Sequence, residues 1–394
     1  MEKINKLKKL IKNENIDGYI VPKNDEFFCE YIQENKDRLK YISNFSGSFG
    51  FALILQEKNY LFVDGRYTLQ ANKQSKKKFI IKTIPGVLPQ NILKGKKFRI
   101  GYDPKLFTKK SLSIFFSKTN CKYIPINRNL IDKIWLRKHN ISLNKFYTLP
   151  QHSAEQNYKQ KINTIILVMK NNKADFQFIS ASENNAWLLN IRGKDTEYTP
   201  IPHSYILIDK KKNIKLFSNL KKIPSSFKNK FDQIEFIDIT LTHLYLSKIK
   251  KKKFITDKST CSIYFENIIL KNNIILNQKD PIYLLKSIKS KKEIENIKKA
   301  HIYDGAALTK YLFWLKNNFG IRIENLIYVK RIKKSNYFEN LTMAPIDKEL
   351  IDFKILNKKE KIWLNNYHKK VFDNLKKFMN KAEFLQLNKS CSAI

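Results

Sequence analysis

The segment Gly320-Ile-Arg-Ile-Glu-Asn325 puts an arginine and a carboxylate two residues apart inside an apolar stretch that runs on to Val329. In an extended strand side chains alternate faces, so Ile321, Ile323, Ile327 and Val329 share one side of residues 320–329 while Arg322 and Glu324 share the other. A carboxylate would then point into a site with an arginine beside it. The alternative is a partly buried strand in which Arg322 and Glu324 pair with each other.

Other catalytic patterns are missing from the sequence. There is no His-Glu-x-x-His, no Gly-x-Ser-x-Gly, no Gly-x-x-x-x-Gly-Lys and no dinucleotide fingerprint. The six histidines (His139, His152, His203, His243, His301 and His368) never form a close pair, and each reads as a solvent-facing or satisfied core residue. The four cysteines (Cys29, Cys121, Cys261 and Cys391) show no metal-binding or redox spacing, the pattern of free thiols in a reducing compartment.

The formal net charge is +41, a field that attracts polyanions. The cations are overwhelmingly lysine, though, and runs such as Lys76-Lys-Lys78 and Lys250-Lys-Lys-Lys253 are spread along the chain rather than gathered on one motif. Salt-sensitive, non-specific sticking is expected, and no specific nucleic acid partner. The basic, amphipathic opening is followed by no signal-peptide core, and apolar runs such as 49–55 are too short to span a bilayer. These features predict a cytoplasmic protein without membrane contact.

The elements that must position any site follow from periodicity. Ile4, Leu7, Leu10 and Ile11 share a helical face, Asp17–Pro22 reads as a buried strand, and 49–55 with 60–63 form a hairpin closed by Asp64-Gly-Arg-Tyr67. The order recurs: a helix through Tyr158, Ile162, Ile165, Ile166 and Met169, a strand over 174–179, and a hairpin of 205–209 with 214–217. Two related α/β domains in tandem are therefore predicted, with a boundary near 142–150. Beyond Asp280-Pro281, the capping pattern Ser290-Lys-Lys-Glu293 opens a helix of about 25 residues whose apolar stripe runs through Ile294, Ile297, His301, Leu308, Tyr311, Leu312 and Leu315. A strand over 320–329, an extended stretch at 341–346 and a helix from Lys358 through Ile362, Trp363, Tyr367, Val371 and Leu375 complete a third region. Its core is thin.

An ordered set of segments carries a family resemblance: Asn44-Phe-Ser-Gly-Ser-Phe-Gly50, Val63-Asp-Gly-Arg-Tyr67, Leu130-Ile-Asp-Lys-Ile-Trp135, Asn185-Ala-Trp-Leu-Leu-Asn-Ile-Arg-Gly193, Ala300-His-Ile-Tyr-Asp-Gly305, Gly320-Ile-Arg-Ile-Glu-Asn325 and Trp363-Leu-Asn-Asn-Tyr-His368. Together they resemble aminopeptidase P of the three-domain cytosolic type, in the creatinase/pita-bread metallopeptidase family. The resemblance implies two creatinase-like N-terminal α/β domains (1–141 and 142–280), the first helix of a pita-bread domain (281–318), and the last metal strand with a C-terminal segment (319–394). It implies release of an N-terminal residue preceding proline, by a hydroxide shared between two Mn2+ held by two Asp, one His and two Glu. Glu324 matches the last of those ligands, Arg322 the arginine that orients a neighbouring ligand, and Arg66 a peptide-binding arginine, with a salt bridge to Asp64 as the alternative role for Arg66. Peptides with proline second, and a homodimer through the N-terminal domains, are the partners implied. Between Leu315 and Gly320, where the family carries a domain-sized segment with the other four ligands, this chain has Lys316-Asn-Asn-Phe319 alone. The resemblance therefore implies a truncated pita-bread domain with little or no hydrolytic activity of its own. A scaffold that dimerises or binds peptides, or one half of a split peptidase, is the competing expectation.

Overall fold

The computed structural model describes residues 2–137, 143–276, 278–314, 324–333 and 335–394. The chain divides into two compact units, one of residues 1–150 with 156–288 and one of 151–155 with 289–394.

The first unit holds two six-stranded mixed sheets. In the first, β1 (Gly18–Pro22), β2 (Phe51–Leu55), β3 (Asn59–Asp64), β4 (Ile80–Ile84), β5 (Arg99–Tyr102) and β6 (Lys122–Pro125) lie in the order β4-β3-β2-β1-β5-β6. β1, β2 and β3 form an antiparallel meander, while β4, β5 and β6 join in parallel. In the second, β7 (Phe176–Ile179), β8 (Tyr205–Asp209), β9 (Ile214–Ser218), β10 (Ile234–Asp238), β11 (Lys253–Ile255) and β12 (Ile274–Leu276) take the order β10-β9-β8-β7-β11-β12. The pairing senses are the same, strand for strand. The duplication inferred from the order of helix, strand and hairpin is thus present in the topology.

Alternation of side chains makes both faces of each sheet apolar. From β1 and β2, Val21, Ala52 and Ile54 pack with Ile4, Leu7 and Ile11 of α1 (Glu2–Asn13) on one face, and Ile20, Phe51, Leu53 and Leu55 enter a separate core on the other. In the second sheet Ile179, Ile206 and Ile208 meet Ile162, Ile165, Ile166 and Met169 of α2 (Tyr158–Asn171), while Phe178, Tyr205 and Leu207 face the opposite core. Strands buried on both sides read as continuous apolar runs, which is why 51–55 and 205–208 were recognisable without further context.

The second unit is smaller. Its long helix α3 spans Lys291–Trp314, opened by the capping box in which Ser290 N–H donates to Glu293 (2.9 Å) and Glu293 N–H donates to the Ser290 hydroxyl (3.2 Å). A hairpin of β13 (Ile327–Ile332) and β14 (Ser335–Asn340) follows, then α4 (Lys358–Leu375) and α5 (Lys381–Cys391). The core is Ala306, Met343, Leu364, Tyr367, Val371, Leu375 and Leu387.

Three expectations for this region need correction. Among the described residues the strand expected over 320–329 begins only at Ile327, residues 324–326 lying outside it, and it pairs with β14. The stretch 341–346 instead carries Met343 to α3, where a Cβ on Gly305 would sit 2.1 Å from the Met343 carbonyl oxygen. The apolar stripe assigned to α3 is also on the wrong face, for Leu308, Tyr311 and Leu312 are exposed whereas Gly305, Ala306 and Thr309 are buried. Small residues let backbones approach closely, and that close packing outweighs the larger but unaccompanied side chains one step round the helix. On α4, likewise, Ile362 and Trp363 are exposed, and Leu364 and His368 take the inner positions.

Candidate functional site

Arg66 sits at the end of β3, more than half exposed, and grips Asp64. Its Nη2 donates to Asp64 Oδ2 (2.7 Å) and its Nε to Oδ1 (3.2 Å), so the hairpin-closing ion pair is formed. That hydrogen bond holds the Asp64 carboxyl below the usual range. Glu324 is exposed and lies three residues ahead of β13. Arg322, with Ile321, Ile323, Leu315 and the junction at 316–320, lies outside the described residues.

Around the hairpin of the second unit the polar side chains are engaged with one another. Glu339 accepts from Lys298 (2.7 Å) and from the Tyr328 hydroxyl (2.5 Å), and these bonds draw its carboxyl down to about 2. His368, fully buried on α4, accepts at Nε2 from the Ile346 backbone N–H (3.2 Å), and its Nδ1 has no hydrogen-bond partner. Burial, with the charge of Lys348, lowers its proton affinity.

A dense arrangement of ionisable groups lies in the first unit, where the loop after β1 meets the segment leading into β8. Arg38, almost fully buried, donates through Nε and Nη2 to Asp132 (2.8 Å each) and through Nη2 to Glu26 (2.6 Å), which also receives Lys36 (3.2 Å). Burial pushes the Glu26 carboxyl up, but the pull of Lys36 and Arg38 prevails and holds it far below the usual range. Tyr205 donates to the Glu26 carbonyl (2.9 Å), and Phe27 stacks on His203 with ring centres 4.1 Å apart. The latter contact sets His203 against Cys29, with Sγ and Nε2 3.5 Å apart. Burial drives the His203 imidazole well below its ordinary value and the Cys29 thiol up to about 12. Spacing could not have revealed this pair, because 174 residues separate its members.

Residues 3–133 and 137–293 each match the Creatinase/Prolidase N-terminal domain, and residues 335–394 match the C-terminal region of peptidase M24. Two creatinase-type α/β domains with a short M24 C-terminal region define the class. Among curated proteins, the chain is 30% identical over 335 residues to a probable Xaa-Pro aminopeptidase P of Laccaria bicolor, covering 80% of this chain and 51% of that protein. It is 31% identical over 331 residues to the Drosophila melanogaster Xaa-Pro aminopeptidase ApepP, covering 79% and 53%. The fold is that of the X-prolyl aminopeptidase of Caenorhabditis elegans, described as a cytosolic enzyme with a di-nuclear active site, at a TM-score of 0.86, 16% identity and coverage of 100% of this chain and 99% of that chain. The chain belongs to the Xaa-Pro aminopeptidase P family. It spans about half the length of the curated relatives it matches.

Among the described residues, the donor set near Glu324 does not fit a two-metal centre. Among the described residues, one group of three His, Cys, Asp or Glu side chains converges closely enough to hold an ion, and it is Asp25, Cys29 and His203, not a group that includes Glu324. An exposed single carboxylate cannot hold two cations at useful affinity, so no hydrolytic step can be built on it. Among the described residues, no helix is long and apolar enough to cross a membrane.

Proposed function

We propose that this chain derives from an Xaa-Pro aminopeptidase, keeps the two N-terminal domains and the C-terminal region, and does not by itself hydrolyse peptides. The observation that carries this reading is the connection between α3 and β13. Only residues 315–326 separate the two elements, where the family resemblance places a domain-sized segment with four of the five metal ligands. Glu324 is then the one remaining ligand, Arg322 the arginine that oriented its neighbour, and Arg66 the N-terminal-domain arginine facing the peptide. The ancestral activity is release of a residue preceding proline, with two Mn2+, in the cytoplasm. Four free cysteines accord with that compartment. The purified chain, supplied with Mn2+ and an Xaa-Pro peptide, is expected to release no N-terminal residue. Turnover that disappears on Glu324→Gln would overturn the proposal.

A second reading, a scaffold or one half of a split peptidase, is favoured by the apolar surface of the second unit. Tyr303, Leu308, Tyr311, Leu312 and Trp314 of α3 are exposed, as are Ile327, Val329, Tyr337 and Phe338 of the hairpin. Light scattering after gel filtration tests dimerisation, and calorimetric titration tests Xaa-Pro peptide binding. A monomer without peptide affinity removes this reading.

A further inference from the structure

We propose that Asp25, Cys29 and His203 form a binding site for a borderline-soft divalent cation, Zn2+ foremost, which clips the loop after β1 to the segment entering β8. Their ligating atoms all lie within 4.8 Å of one another. The set is chemically suited to zinc, which takes thiolate, imidazole and carboxylate ligands together. Bonds of about 2.3 Å to sulfur and about 2.0–2.1 Å to nitrogen at a tetrahedral centre place the two donor atoms roughly 3.6 Å apart. Cys29 Sγ and His203 Nε2 stand 3.5 Å apart. The thiol and imidazole are thus already at the separation that a shared ion requires.

A second observation comes from Asp25, whose side chain is completely buried. Its Oδ1 accepts from the backbone N–H groups of Phe27 (2.9 Å) and Cys29 (3.2 Å). Its Oδ2 is buried with no hydrogen-bond partner. A buried carboxylate oxygen left unpaired costs free energy, and a cation held jointly with the neighbouring thiolate and imidazole would recover it. The turn that presents these atoms is fixed by Phe28, whose φ of 57° is left-handed.

The surroundings accommodate the ion. Asp25 and a Cys29 thiolate supply two negative charges against a divalent cation, and the nearby Lys36 is already engaged by Glu26 (3.2 Å). Thr196 contacts both Cys29 (3.8 Å) and His203 (3.4 Å) and also lines a cleft of about 850 Å³, so one side chain stands between the cluster and that cleft. The His203 backbone N–H donates to Asp195 (2.8 Å) and its ring is stacked on Phe27, which together fix the imidazole.

The test uses the full chain stripped of metal with a chelator and titrated with Co2+. One equivalent is expected to produce the d–d spectrum of a tetrahedral site with a thiolate charge-transfer band, and Zn2+ to displace it. Zinc-edge X-ray absorption of the wild-type chain should show one sulfur at about 2.3 Å. Cys29→Ser should abolish the band, His203→Gln and Asp25→Asn should weaken binding at least tenfold, and Cys121→Ser should leave it unchanged. A wild-type chain without the band, a zinc shell of oxygen and nitrogen only, or a band that survives Cys29→Ser would overturn the proposal. If Cys29→Ser does not fold, the wild-type sulfur shell and His203→Gln decide.

Discussion

Replacing Arg38 by Met keeps an unbranched apolar stem and removes the charged guanidinium that joins the loop after β1 to residues 130–134. In the native chain Arg38 is 3% exposed and makes three charge-assisted hydrogen bonds, two to Asp132 and one to Glu26. Removing one partner from a buried ion pair typically costs about 3–5 kcal/mol, because the opposite charge is left uncompensated. Here the carboxylates are not wholly enclosed. The Glu26 side chain is 25% exposed and keeps Lys36, and that of Asp132 is 31% exposed and keeps Arg137, so water and the remaining cations recover part of the loss. The expected destabilisation is therefore about 2–4 kcal/mol. Urea unfolding followed by circular dichroism at pH 7 measures it, on the transition of the unit that contains the two sheets. Arg38→Met combined with Asp132→Asn should cost less than the sum of the single changes, since the double variant removes both ends of one pair. A loss below about 1 kcal/mol for Arg38→Met, the range of a solvated surface pair, would refute the description of Arg38 as the buried hub of this loop.

Gly305→Ala tests the packing of the second unit. Alanine favours a helix by about 1 kcal/mol over glycine, but its Cβ would meet the Met343 backbone, and overpacking costs about 1–3 kcal/mol. Because the 341–346 segment is tied by Tyr367 (2.7 Å to the Ala344 carbonyl) and His368, the clash should prevail, and a stabilised variant in urea unfolding would contradict it. Glu339 gives the second unit a pH signature. Its carboxyl falls from 4.5 to about 2 through the hydrogen bonds of Lys298 and Tyr328, so the stabilisation is complete above the unfolded value and is lost as pH falls toward 2. Glu339→Gln should flatten the acid limb of a stability–pH curve between those values, and an unchanged limb would show that the contact contributes nothing.

Much of the first unit was legible because its signals are local. The continuous apolar run of 51–55 and the period of 3.6 in 158–169 each require only neighbouring residues, and the recurrence of the same order disclosed the duplication before any strand pairing was known. Glu324 and Arg66 were singled out as candidates through motif order, a property of the sequence alone. Their surroundings were not: the ion pair from Arg66 to Asp64 and the exposure of Glu324 depend on where the chain turns.

The second unit was harder to read because hydrophobicity does not say which face of a helix has a partner. Counting large apolar residues selected Leu308, Tyr311 and Leu312, whereas the fold selected Gly305, Ala306 and Thr309, where a backbone could come close. The Asp25, Cys29 and His203 cluster is the clearest case of what tertiary structure alone decides. Spacing made Cys29 a free thiol and His203 a solvent-facing or satisfied core histidine, and nothing local distinguishes either from its counterparts. The sequence determined the two α/β domains and the descent of the chain, since periodicity and motif order survive without contacts. Which side chains face one another across 174 residues was decided only when the two sheets folded and brought the loop after β1 against the segment entering β8.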